Sequence, residues 1–73
     1  MIQYTWNKKK NLSNIKIHGI DFTDAVEMFD LPMLTLIDIR HDYKEERWIG
    51  IGFLKNIVAV MVYTEDENKI LYV

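Results

Sequence analysis

Apolar and β-branched residues crowd most densely between Glu45 and Thr64, EERWIGIGFLKNIVAVMVYT, a run broken near its middle by Lys55-Asn56. Two strand-like segments joined by two polar residues predict a β-hairpin. With those two residues as the loop, Leu54 faces Ile57. Phe53 then pairs with Val58, Ile51 with Val60, Ile49 with Val62 and Arg47 with Thr64, all on one sheet face because side chains alternate. The opposite face sets Trp48 against Tyr63, Gly50 against Met61 and Gly52 against Ala59. One face is thus a β-branched slab ending in a cation. The other is an aromatic pair beside a stretch of missing side chains.

The flanking patterns fill in the rest. Ile2-Gln3-Tyr4-Thr5-Trp6 alternates and is rich in strand formers, predicting a short first strand. Asn7 is a good helix N-cap, and a helix from about Lys8 to Ile17 follows, with the sparse apolar stripe Leu12, Ile15 and Ile17 of a surface helix. His18-Gly19 ends it, since glycine supplies the left-handed residue after a helix. Asp21 caps a second helix, roughly Phe22 to Phe29, whose Phe22, Ala25, Val26 and Phe29 form one face suited to a sheet. Proline at position 32 ends that run. Leu34 to Ile39 predicts a second strand, Arg40-His41-Asp42-Tyr43-Lys44 a polar turn, and Lys69 to Val73 a last strand.

The order is strand, two helices, then a three- to four-stranded antiparallel sheet. This is an α+β fold in a single domain spanning residues 1–73. Ile57 to Tyr63 is apolar on both faces, which makes it central. The helices are expected to cover one face. The Trp48/Tyr63/Met61 face then either meets a partner or a ligand, or stays a patch of exposed apolar surface over a smaller core.

Composition narrows the class. The chain has 73 residues and no cysteine, so its small core has no disulfide to support it and a partner chain or self-association is expected. No signal peptide is apparent, and the longest apolar run, Ile57 to Tyr63, is far below the ~20 residues of a membrane helix. A cytoplasmic protein that does not enter membranes is the expectation. The net charge of −2 is unevenly spread: residues 1–17 hold Lys8, Lys9, Lys10 and Lys16 and no acid. Overall acidity argues against nonspecific nucleic-acid binding, while the basic amino end permits a local anionic contact.

One ordered set of residues carries a resemblance. It runs Trp6-Asn7-x-x-Lys10-x-x-x-Asn14-x-x-x-His18-Gly19-Ile20-x-Phe22-x-x-Ala25-x-x-x-Phe29-Asp30, then Asp38, His41, Glu45-Glu46-Arg47, Ile51-Gly52 and Tyr63-Thr64-Glu65. This pattern resembles the BrnT-type toxins of bacterial type II toxin–antitoxin systems. The resemblance implies a RelE-like fold, endoribonuclease activity and a ribbon-helix-helix antitoxin of the BrnA type as partner. The sequence departs from the family pattern with Asn7 for aspartate, Ile17 for lysine and Leu71 for a common arginine. The family usually continues beyond the position of Val73 through a basic stretch into a carboxy-terminal helix.

Such ribonucleases, by resemblance, use the ribose 2′-hydroxyl to attack the adjacent phosphate. The step needs a base, an acid and positive charge on the phosphorane. Arg47 is the candidate for the charge, because a guanidinium fork grips two phosphate oxygens. His18 and Glu46 are the candidates for proton transfer. Lys9 and Lys16, seven residues apart on one helix side, together with Trp48, Tyr63 and Thr64, are the expected RNA contacts. His41 sits in a polar turn and is expected to be exposed. Asp38, His41 and Asp42 make only a weak ligand set, so neither metal nor cofactor is expected. The alternative is a non-catalytic relative that only binds an antitoxin or self-associates, as a homodimer or a hetero-oligomer.

Overall fold

A computed structural model describes residues 2–40 and 44–73. The expected hairpin organises it. Strands β3 (Trp48–Leu54) and β4 (Ile57–Asp66) pair antiparallel, with Leu54 opposite Ile57, Gly52 opposite Ala59, Gly50 opposite Met61 and Trp48 opposite Tyr63. Lys55 opens the turn with φ of 57°, in the left-handed region. Before the hairpin come β1 (Gln3–Trp6), helix α1 (Lys8–His18), the one-turn helix α2 (Phe22–Ala25), a 3-10 segment (Val26–Asp30) and β2 (Leu34–Ile37). After it comes β5 (Lys69–Tyr72).

The sheet is larger than the antiparallel one expected. It has five strands in the order β1-β5-β4-β3-β2, and β1 lies parallel to β5. The first strand is therefore one edge of the same sheet, and α1 and α2 carry the chain from it to β2 at the opposite edge. The predicted second helix also tightens after its first turn into 3-10 geometry, where Leu31 N–H reaches the Met28 carbonyl at 3.4 Å.

Asparagines, rather than an apolar stripe, hold α1 in place. No residue of α1 is buried, and Leu12 and Ile17 stay largely exposed. Asn7 Oδ1 accepts the Lys9 and Lys10 amides at 2.9 and 3.2 Å. Gly19 takes the left-handed conformation at φ of 72° and donates to the Ile15 carbonyl. At the elbow, Asn11 Oδ1 accepts the Phe22 amide at 2.8 Å, Asn11 Nδ2 donates to Asp21 at 2.9 Å, and Asn14 Nδ2 donates to the Ile20 carbonyl. These bonds satisfy amides and carbonyls that a helix end leaves open.

The core lies between the helices and one sheet face, and that face is the one the sequence reading left to a partner. Leu54, Ala59, Met61 and Tyr63 are buried with Phe22, Ala25, Met28, Ile70 and Tyr72. The glycine gap is filled from within: a Cβ on Gly50 would meet Met33 Sδ at 2.9 Å, and one on Gly52 would meet Met33 Cγ at 3.2 Å. Methionine is flexible enough to occupy such an irregular hollow. Phe22 stacks on Tyr72 with centroids 5.1 Å apart, and Phe29 meets Tyr63 edge-on at the same separation. Tyr72 also donates its hydroxyl to the Ala25 carbonyl at 2.9 Å, tying β5 to the end of α2. The β-branched slab is the face left open, with Leu34, Phe53, Val58 and Val60 all more than half exposed.

Candidate functional site

The open face ends in a cluster of charge. Asp38 N–H donates to the Arg47 carbonyl at 2.7 Å, which extends the β2–β3 ladder one residue beyond the pair Ile37–Trp48. Alternation then puts Asp38 and Arg47 on the outer face, in line with Leu36 and Ile49. Carried one step beyond Trp48–Tyr63, the β3–β4 register sets Arg47 opposite Thr64, as the sequence led us to expect. Thr64 is half-buried on the same face.

Asp38 anchors this corner. Its side chain is fully buried, and Arg40 grips it bidentately, Nε to Oδ1 and Nη2 to Oδ2 both at 2.8 Å, with the Arg40 amide adding a bond at 3.1 Å. Two parallel charge-assisted bonds fix the plane of the guanidinium. The Arg40 side chain nevertheless remains 63 % exposed, so its far edge faces solvent. Arg47 is partly exposed and lies 3.9 Å from Glu45. Arg40 was missed in the sequence, although Asp38-x-Arg40 at a strand end carries a readable signal: the period of two puts both side chains on one face.

The other expected residues scatter. Glu46 is exposed next to Arg47 in the chain. His18 is exposed at the end of α1 and lines a groove with Asn14, Ile20, Phe22, the edge of β4 and Val73. Arg47 does not line that groove. Lys9 and Lys16 are exposed on α1. The aromatic pair does not form an open platform. Tyr63 is only 5 % exposed within the core, and Trp48 is half-buried against it. Burial and the nearby Glu65 raise the Tyr63 pKa above its usual value, so the phenol stays neutral. His41 lies outside the described residues, as does Asp42 of the discounted ligand set. Among the described residues no group of three potential metal ligands occurs, and no helix is long and apolar enough to cross a membrane.

A family model described as the ribonuclease toxin BrnT of type II toxin–antitoxin systems matches residues 6–73. The chain belongs to the BrnT family. No protein of curated function matches it. Membership carries an RNA substrate and an antitoxin partner with it. Much of the BrnT-like pattern now has a structural account in this chain. Asn14 and Gly19 build the elbow after α1, and Phe22 and Ala25 are buried beneath it. Asp38 and Arg47 mark the charged corner of the open face.

Proposed function

We propose that this BrnT-family chain cleaves RNA at the charged corner of its open sheet face, by attack of a ribose 2′-hydroxyl on the adjacent phosphorus. The observation that carries the reading is the placement of Arg47 and Arg40 around buried Asp38, at the end of a face whose Leu34, Phe53, Val58 and Val60 are more than half exposed. The two guanidiniums would hold the non-bridging phosphate oxygens and balance the charge gained by the phosphorane. Alternation turns Glu46 away with Trp48, so Glu45, 3.9 Å from Arg47, accepts the 2′-hydroxyl proton. Lys9 and Lys16 steer the RNA backbone from α1 without touching the reacting atoms. The leaving 5′-oxygen takes its proton from solvent, because His18 lies on the helical side of the β4 edge.

Product ends test this reaction type. Hydroxyl attack leaves a 2′,3′-cyclic phosphate on the upstream fragment, and the purified chain acting on single-stranded RNA is expected to yield that end. Fragments with a free 3′-hydroxyl would exclude the mechanism. A second reading is a relative that binds its antitoxin without cleaving. The separation of His18 from Arg47 favours it, and intact RNA at high protein concentration, together with a stable antitoxin complex, would establish it.

A further inference from the structure

Among the described residues Asp38 is the one buried charged side chain. Apolar packing does not explain its position, since Ile39 beside it is 86 % exposed. Withdrawing a carboxylate from water is costly and is offset only when its oxygens are well paired. Here Oδ1 accepts from the Arg40 amide and Nε, and Oδ2 accepts from Nη2. Arg40 itself lies mostly in solvent, where an ion pair contributes little to stability. Folding alone therefore gives little reason for the pair.

What the pair does is fix a guanidinium. Arginine carries five N–H donors, and Asp38 accepts two of those of Arg40 along one edge. Two parallel bonds set the plane and direction of the group, and the span Asp38-Ile39-Arg40 ties it to the end of β2. Arg47 has no such fork with Glu45, which stands 3.9 Å from its Nε, beyond hydrogen-bond reach.

We propose that Asp38 is a positioning residue: it holds Arg40 where charge develops on the phosphorane, so that Arg40 acts on the transition state rather than on RNA binding. The proposal rests on the ribonuclease reading and deepens it. A donor fixed in advance needs no reorganisation at the moment of reaction, and that is how it lowers a barrier. A negative charge beside the phosphate site then aids cleavage. Charge counting alone says the reverse, because Asp38 repels an RNA phosphate and its neutralisation leaves the corner one unit more positive. The two effects fall on different constants. Neutralising Asp38 leaves RNA binding as tight or tighter and slows the chemical step.

The full chain tests this as wild type, Asp38→Asn, Arg40→Ala and the double variant, each shown folded by circular dichroism. Two constants are read: kcat on single-stranded RNA, and Kd for 2′-O-methyl RNA, which lacks the attacking hydroxyl and stays uncut. Asp38→Asn keeps the side-chain shape but turns one acceptor into a donor facing the guanidinium. Its kcat is expected to fall about a hundredfold, with Kd unchanged or lower. Arg40→Ala is expected to lose at least as much kcat. The double variant should fall no more than a few-fold further, because both changes remove the same clamp. Should either single variant misfold, Arg40→Lys keeps the charge without the fork, and it too is expected to lose kcat at unchanged Kd. Full kcat with tighter binding in Asp38→Asn overturns the proposal. So do losses that multiply in the double variant, or full kcat in Arg40→Lys. Each of these leaves the ribonuclease reading intact, whereas a wild-type chain that leaves RNA uncut overturns both.

Discussion

Tyr72→Phe removes one hydroxyl from the centre of the core. That hydroxyl donates to the Ala25 carbonyl at 2.9 Å, and Tyr72 is only 1 % exposed. Phenylalanine fills the same volume, so the change isolates the hydrogen bond. A buried bond of this kind contributes about 1 kcal/mol net. In a domain of this size that corresponds to a fall in Tm of roughly 4–8 °C. The pH dependence adds a second signature. Burial raises the Tyr72 pKa far above its usual 10.0, so the folded chain keeps the phenol protonated while the unfolded chain ionises it. The unfolded state then binds fewer protons, and stability falls as pH rises past the unfolded value. One such group costs about 1.4 kcal/mol per pH unit in that range. Near neutrality the wild type is therefore the more stable, and by about pH 11 the difference closes or reverses. Urea unfolding followed by tryptophan fluorescence at both pH values measures this. Equal stability near neutrality, or parallel pH slopes, would refute the buried hydrogen bond.

Three further outcomes follow from the elbow and the core. Asn11→Ala removes the acceptor for the Phe22 amide and is expected to cost about 1 kcal/mol by urea unfolding; in the same variant the Asp21 carboxyl, held below its usual value first by Asn11 and then by the Thr23 amide, rises toward that value in an NMR titration. Gly19→Ala meets no atom within 4 Å, so its cost of about 1 kcal/mol comes from the left-handed backbone alone, and thermal unfolding reads it. Gly50→Val drives side-chain atoms into Met33 and Tyr63, and calorimetry should show a loss of about 1–3 kcal/mol, several-fold larger than for Val60→Thr on the open face.

The hairpin was legible because its signal is local. Two β-branched runs around Lys55-Asn56 admit one short loop, and alternation then assigns every residue from Trp48 to Tyr63 to a face. Which face would be covered was not legible, because that depends on Met28 and Met33 reaching across from a distant segment to fill the space over Gly50 and Gly52. Both faces look apolar in sequence, and the smoother one proved to be the open one. The parallel β1–β5 pair was hidden for a similar reason, since the two strands are separated by nearly the whole chain. At the charged corner, Arg47 and its place opposite Thr64 followed from the same alternation, whereas Arg40 was obscured by its position in a polar turn. Tyr63 was mistaken for a surface residue through the choice of face.

The central claim is that the Asp38-anchored arginine corner cleaves RNA. Its most direct test is kcat/KM for RNA cleavage by Arg47→Lys, beside wild type and His18→Ala, with circular dichroism showing each variant folded. Lysine keeps the charge but loses the fork, so a fall of about a hundredfold or more is expected for Arg47→Lys. His18→Ala should stay within a few-fold of wild type. Unchanged cleavage by Arg47→Lys with activity abolished in His18→Ala would contradict the account and move the chemistry to the groove beside β4.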